Sequence, residues 1–171
     1  MSDSIFSTIL IISIFCALVG CSGTTKLPVK PNEHMEIGWT PRTVLATTTY
    51  AWFDSGYTAY QPSGNILTQL SSIKDSLSFL VLYGTWCSDS KRELPHFFKI
   101  MDSLKIHSDK ITLYAVDRTL RYPPGLPEEY QLTRVPTFIL QYRGMEVGRI
   151  VEQPVGTLEE DILNQLLPLT Q

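Results

Sequence analysis

Three cysteines, Cys16, Cys21 and Cys87, are the strongest nucleophiles in this chain of 171 residues. Cys87 opens the run Cys87-Ser88-Asp89-Ser90 directly behind the apolar stretch Phe79-Leu80-Val81-Leu82-Tyr83-Gly84. A thiol there can attack a disulfide sulfur once it is a thiolate. The spacing predicts a helix that starts at Cys87, where unpaired backbone N–H groups and the helix dipole favour an anion. Ser90, one turn on, is within reach of a hydrogen bond to the sulfur; the Asp89 carboxylate opposes a second negative charge, and Lys91 and Arg92 partly offset it. The sign of the net effect is open at this level.

The other chemistry-bearing residues are weaker. His96 lies nine residues past Cys87, about two and a half helical turns away, and reads as a surface or boundary residue. His34 falls in a polar segment and His107 in a polar loop. No pair of histidines or carboxylates has metal-ligand spacing, so neither a metal nor another cofactor is expected. Arg118, Arg121 and Arg134 read either as receivers for an anionic thiol such as glutathione or as solvated loop charges. With a net charge of -3 and no basic stripe, nucleic acid is not an expected partner.

The elements that must position Cys87 follow from hydrophobic pattern. Phe79–Tyr83 is a continuous apolar run, suited to a strand covered on both faces and ended by Gly84. Leu94, Phe97, Phe98, Met101 and Leu104 then share one face of a helix that contains Pro95. Ile111–Val116 predicts a second buried strand, completing a β-α-β unit with parallel strands. A long loop, Asp117–Tyr130, includes one helical turn from Pro127. Phe138–Tyr142, a turn at Arg143-Gly144-Met145, and Glu146–Val151 form an antiparallel pair. Thr157 starts a last helix with Leu158, Ile162, Leu163, Leu166 and Leu167 turned inward. Upstream, Asn65–Lys74 is a helix with Ile66, Leu67, Leu70 and Ile73 inside. Met35–Pro62, rich in aromatic and β-branched residues, predicts one or two short strands with a turn at Asp54-Ser55-Gly56. Its rings read as docking the segment on the domain rather than as a substrate platform.

From about Ser78 to Leu167 the chain resembles thioredoxin. The marks are Trp86-Cys87 behind a buried strand, Pro95 eight residues beyond the cysteine, Val135-Pro136-Thr137 before the antiparallel pair, Arg143-Gly144 in the hairpin, and the closing amphipathic helix. The resemblance implies an α/β thioredoxin-like fold, a central mixed sheet flanked by helices, over residues 77–171, with an aromatic-rich N-terminal extension at 35–76. It implies that Pro136 is cis and faces Cys87, that Trp86, Val135 and Pro136 contact an extended substrate, and that Pro95 kinks its helix without ending it. The departures are equally specific. Ser90 stands where a dithiol thioredoxin has its second cysteine, Val81 where the family keeps a buried acid, and Leu113 where it keeps the lysine paired with that acid.

Ile5–Val19 is an apolar run too short to span a membrane comfortably but suited to a signal peptide. It ends in Leu18-Val19-Gly20-Cys21, which resembles a bacterial lipobox. That resemblance implies a signal peptide at 1–20, a diacylglycerol on Cys21, a tether over 21–34, and a protein lipid-anchored in the bacterial envelope, periplasmic or otherwise extracytoplasmic. The opening Met1-Ser2-Asp3-Ser4 lacks the usual Lys or Arg, and an uncleaved anchor or buried helix is the alternative. With Cys16 removed and Cys21 lipidated, Cys87 is the sole mature thiol and cannot form an intramolecular disulfide. The functional expectation is thiol–disulfide exchange through mixed disulfides with a protein or low-molecular-weight thiol, Cys87 as nucleophile and Ser90 as its hydrogen-bond partner. The rival expectation is a redox-inactive thioredoxin-fold module that binds extended protein segments.

Overall fold

Leu77–Tyr83, seven residues without a charged side chain, form β2 at the centre of a five-stranded sheet ordered β1-β3-β2-β4-β5. The computed structural model describes residues 34–169. Its remaining strands are β1 (Gly38–Trp39), β3 (Ile111–Ala115), β4 (Thr137–Tyr142) and β5 (Met145–Val151). β2 runs parallel to β3 and antiparallel to β4, β4 antiparallel to β5, and β1 antiparallel to β3. Side chains alternate across a strand. Leu77, Phe79, Val81 and Tyr83 therefore join the main core on one face, while Leu80 and Leu82 meet Ile139 on the other.

The helices are α1 (Arg42–Leu45), α2 (Ala51–Ala59), α3 (Gly64–Ser71), α4 (Ser88–Ser103), α5 (Leu126–Glu129) and α6 (Leu158–Leu166). α4 crosses the sheet with Leu94, Phe97, Phe98 and Met101 buried, and it continues through Pro95. The hairpin turn is tighter than its sequence suggests. Arg143 and Gly144 both have positive φ, 53° and 81°, so two residues suffice and β5 starts at Met145. α6 opens with a capping box between Thr157 and Glu160. It ends at Leu166; Leu167, expected inside, is 41% exposed.

The aromatic segment departs from its strand prediction. Gly38–Trp39 is its one strand, and Ala51–Ala59, including the expected turn Asp54-Ser55-Gly56, is helical. Gly56 serves close approach rather than turning: a Cβ there would come within 2.9 Å of Pro95 Cβ, so its absence lets α2 lie against α4. The rings dock the segment as expected. Phe53 meets Phe98 edge-on at 5.6 Å, and Leu45, Tyr50, Phe53 and Leu70 belong to the main core.

A polar clasp closes the same interface. Arg42 donates two 2.7 Å hydrogen bonds to the Asp102 carboxylate, Tyr57 donates a third at 2.7 Å, and the Arg42 guanidinium lies 4.5 Å from the Phe98 ring centre. Burial pushes the Asp102 carboxyl up, but Arg42 and Tyr57 together outweigh it and hold it below the ordinary carboxylate range. A depressed carboxyl stabilises the fold above its unfolded value of about 3.9, and the benefit fades as pH falls through the lower folded value. Asp102→Asn is therefore expected to cost about 1 kcal/mol at pH 7, after discounting for solvent screening. Urea titrations of both proteins should show that difference shrinking as pH falls below the unfolded carboxyl value of about 3.9.

Candidate functional site

β2 delivers the chain to Gly84, and Gly84-Thr85-Trp86 turns it into α4. Cys87 is the N-cap of α4 in extended conformation (φ -86°, ψ 130°); its N–H donates to Gly84 O at 2.9 Å and its carbonyl accepts from Lys91 N at 3.0 Å. Gly84 has no room for a side chain, since a Cβ would lie 2.6 Å from Trp86 Cε2. The Trp86 indole is pinned over that glycine by its Nε1–H, which donates to Val116 O at 2.9 Å, and Arg118 lies 5.2 Å from the ring centre. Thr85, buried, accepts the Glu36 N–H at 3.3 Å, which ties the segment before β1 to the loop two residues from the thiol.

Long-range folding completes the site. The Val135–Pro136 peptide is cis, and Val135 and Pro136 are buried at the entry to β4. The half-buried Cys87 thiol donates to Val135 O at 3.2 Å, which joins two segments 48 residues apart. Pro136 O accepts from Glu152 N at 2.7 Å, so the end of β5 supports the proline loop. Thr137 Oγ1 donates to Arg134 O at 2.7 Å from within the same loop.

The five strands in this order, the parallel β2–α4–β3 unit, the antiparallel β4–β5 pair closed by α6, and a helix-capping cysteine meeting a cis-proline loop settle the architecture. The fold is thioredoxin-like. No protein-family model matches the chain. It is 27% identical over 111 residues to thioredoxin-3, a mitochondrial protein of Saccharomyces cerevisiae, across 64% of this chain and 83% of the yeast protein. Among solved structures it is similar to the oxidized form of that thioredoxin, at 25% identity and a TM-score of 0.40 over 64% of this chain and 98% of the other. It is also similar to a Pseudomonas aeruginosa protein of unknown function, at 19% identity and a TM-score of 0.45 over 70% of this chain and 69% of the other.

Within this thioredoxin-like domain, the residues singled out from sequence lie as follows. Cys87, Trp86, Val135 and Pro136 meet at one end of the sheet through the bonds just given. Ser90 is fully buried, and its hydroxyl accepts the Gly84 N–H at 3.2 Å, tying the first turn of α4 to the end of β2. Asp89 is engaged by Arg92 at 2.8 Å and by Gln153 Nε2 at 3.3 Å. Arg134 pairs with Glu152 at 2.6 Å, so its charge is already answered next to the proline loop. Val81 pairs with Leu113 in register, both buried, and the two form an apolar contact beneath the site. Cys87 is the one cysteine among the described residues; Cys16 and Cys21 lie outside them. Among the described residues no group of three His, Cys, Asp or Glu could hold a metal, and no helix is long and apolar enough to cross a membrane.

Two features escaped the sequence reading. Glu152 and Gln153 reach the site only through strand pairing, and nothing local marks them. Glu93, 3% exposed, is a buried acid on α4, and here a signal existed: it shares an i, i+4, i+7 stripe with Phe97 and Ile100. Its Oε1 accepts from Arg92 Nε at 2.6 Å, while Oε2 is buried 3.4 Å from His96 Nδ1 without hydrogen-bond alignment. Burial pushes the Glu93 carboxyl up, and His96 and Arg92 outweigh it, leaving it below the usual range. His96 stacks on Tyr60 at 3.9 Å, and Tyr60 donates to the buried Glu159 at 2.6 Å. Burial and then Glu159 push the Tyr60 hydroxyl upward. This polar layer links α4, the extension and α6.

Proposed function

We propose that the protein performs thiol–disulfide exchange through Cys87 alone, by way of mixed disulfides. The observation that carries the reading is the half-buried thiol at the N-cap of α4, 3.2 Å from the carbonyl that precedes cis-Pro136, with a serine at the position of a resolving thiol. The similarity to a curated thioredoxin supports a thiol-related role. In the forward step the Cys87 thiolate attacks a partner disulfide; a bond forms between Cys87 Sγ and one partner sulfur, and the other leaves as a thiolate. A second, external thiolate then attacks the mixed disulfide and returns Cys87 as a thiolate, with no net change in oxidation state. Trp86 and the Val135–Pro136 backbone provide the resting place for the partner's extended segment. The fixed backbone carbonyl of Val135 orients the sulfur, and Ser90 holds the turn that presents it.

We further infer a lipid anchor on Cys21 in a bacterial envelope, on the strength of the apolar run and Leu18-Val19-Gly20-Cys21. Mass spectrometry of the mature N-terminus tests it: a diacylated Cys21 is expected, and an intact Met1 refutes it. For the exchange reaction, envelope extracts quenched with acid and alkylated should contain adducts on wild type that a reductant releases and that are absent from Cys87→Ala. If neither protein carries adducts and both retain the same non-covalent partners, the domain is a binding module for extended segments instead.

A further inference from the structure

Residues 35–40 alternate in exposure. Met35, Ile37 and Trp39 are 37%, 47% and 64% exposed, whereas Glu36 and Gly38 are half-buried and Thr40 is buried. The inward residues are anchored. Glu36 accepts from the Tyr50 hydroxyl at 2.7 Å, its N–H donates to Thr85 Oγ1, and Thr40 Oγ1 is 2.8 Å from the Tyr83 hydroxyl. Thr40 N–H adds a 3.1 Å bond to Leu113 O, extending the β1–β3 pairing. These bonds prevent the segment from rolling, so three large apolar side chains stay in solvent along one edge of the sheet. A cluster of this kind at a fixed edge marks an interaction surface.

The sequence ahead of it indicates the partner. The stripe begins fourteen residues after Cys21, and the charged residues between Cys21 and Met35 are Lys26, Lys30 and Glu33, a net charge of +1. Such a segment reaches at most about 50 Å when fully extended, so a lipidated Cys21 keeps the stripe within that distance of a bilayer. The net positive charge of that segment favours an anionic leaflet, and tryptophan with long apolar side chains suits the boundary between headgroups and acyl chains. We propose that Met35, Ile37 and Trp39 seat the domain on an anionic lipid surface. The proposal rests on the lipid-anchored reading above. Because the Glu36–Thr85 bond places the stripe at the same end of the sheet as Cys87, seating it there directs the thiol toward membrane-proximal disulfides.

The full chain, reconstituted into phosphatidylethanolamine–phosphatidylglycerol vesicles with brominated acyl chains, tests the proposal, because bromine quenches an indole only at short range. The Trp39 signal, taken as the difference between wild type and Trp39→Phe, is expected to fall about twofold or more relative to unbrominated vesicles. Ile37→Asp should reverse most of that quenching. A difference signal indifferent to bromination overturns the proposal. So does concentration-dependent shielding of Trp39 from acrylamide without vesicles, which would make the occupant a second copy of the chain. N-terminal mass on the same sample separates the two readings: a diacylated Cys21 without quenching sinks the stripe alone, and quenching with an intact Met1 sinks the anchor alone.

Discussion

Ser90→Cys is expected to close a disulfide between position 90 and Cys87 and to shorten the life of every mixed disulfide on Cys87 by about a hundredfold or more. Positions 87 and 90 are one helical turn apart at the start of α4, which puts their Cα atoms about 5–6 Å from one another, inside the range a disulfide spans. On the proposed monothiol reading an adduct on Cys87 waits for an external thiol, since Ser90 offers only a hydroxyl and Cys87 is the one cysteine among the described residues. A thiol held one turn away acts at an effective concentration far above that of a millimolar external thiol, hence the size of the effect. The cost is small. Ser90 Oγ accepts the Gly84 N–H at 3.2 Å, and exchanging that oxygen for sulfur weakens one buried bond, about 1 kcal/mol. The new thiol would have no acid from below to assist it, because Val81 and Leu113 fill that place with hydrocarbon. Acid-quenched time courses on the Cys87 peptide, with a glutathione adduct as the start, measure the lifetime. An unchanged lifetime would mean that something other than the missing thiol limits resolution.

Phe97→Ala should destabilise the protein by about 3–5 kcal/mol, a large share of the 5–15 kcal/mol typical of a domain. Phe97 is fully buried, packed edge-on to Phe79 at 5.4 Å and Phe98 at 5.3 Å and stacked on Phe138 at 5.1 Å. It thereby joins α4 to β2 and β4, the three elements that carry Cys87 and the cis-proline loop. Truncation leaves a void that these rings cannot fill without displacing the strands and helix that carry them. The measurement is the urea midpoint at pH 7 with the slope unchanged; a loss below about 1 kcal/mol would contradict a rigid core at this point.

Much of this molecule is local and was therefore legible. Continuous apolar runs name β2, β3 and β4, the turn at Arg143-Gly144 adds β5, and period-3.6 stripes name α4 and α6, because each element buries its apolar residues whatever surrounds it. The Cys87 junction follows from a strand ending at Gly84 beside a helix start, and the substitution of Ser90 for a second thiol is a matter of residue identity alone. The aromatic segment was misread because β-propensity reflects how a side chain packs, and here α4 provides a surface on which rings pack equally well from a helix. Gly56 reads as a turn residue until Pro95 lies against it.

Residue identity alone fixes the chemistry available: a single candidate thiol in the domain at the start of a helix, a hydroxyl at position 90 and a valine at position 81. Tertiary structure decided what surrounds that thiol. The bond from Cys87 to Val135 spans 48 residues, Glu152 and Gln153 arrive by strand pairing, and Arg134 is answered by Glu152. The same holds for Met35, Ile37 and Trp39, which point outward because Glu36 and Thr40 are held inward. The physical reason is common to all of them: composition and period specify which faces are apolar, whereas the partner a polar group finds across the fold depends on loop closures that no local window contains.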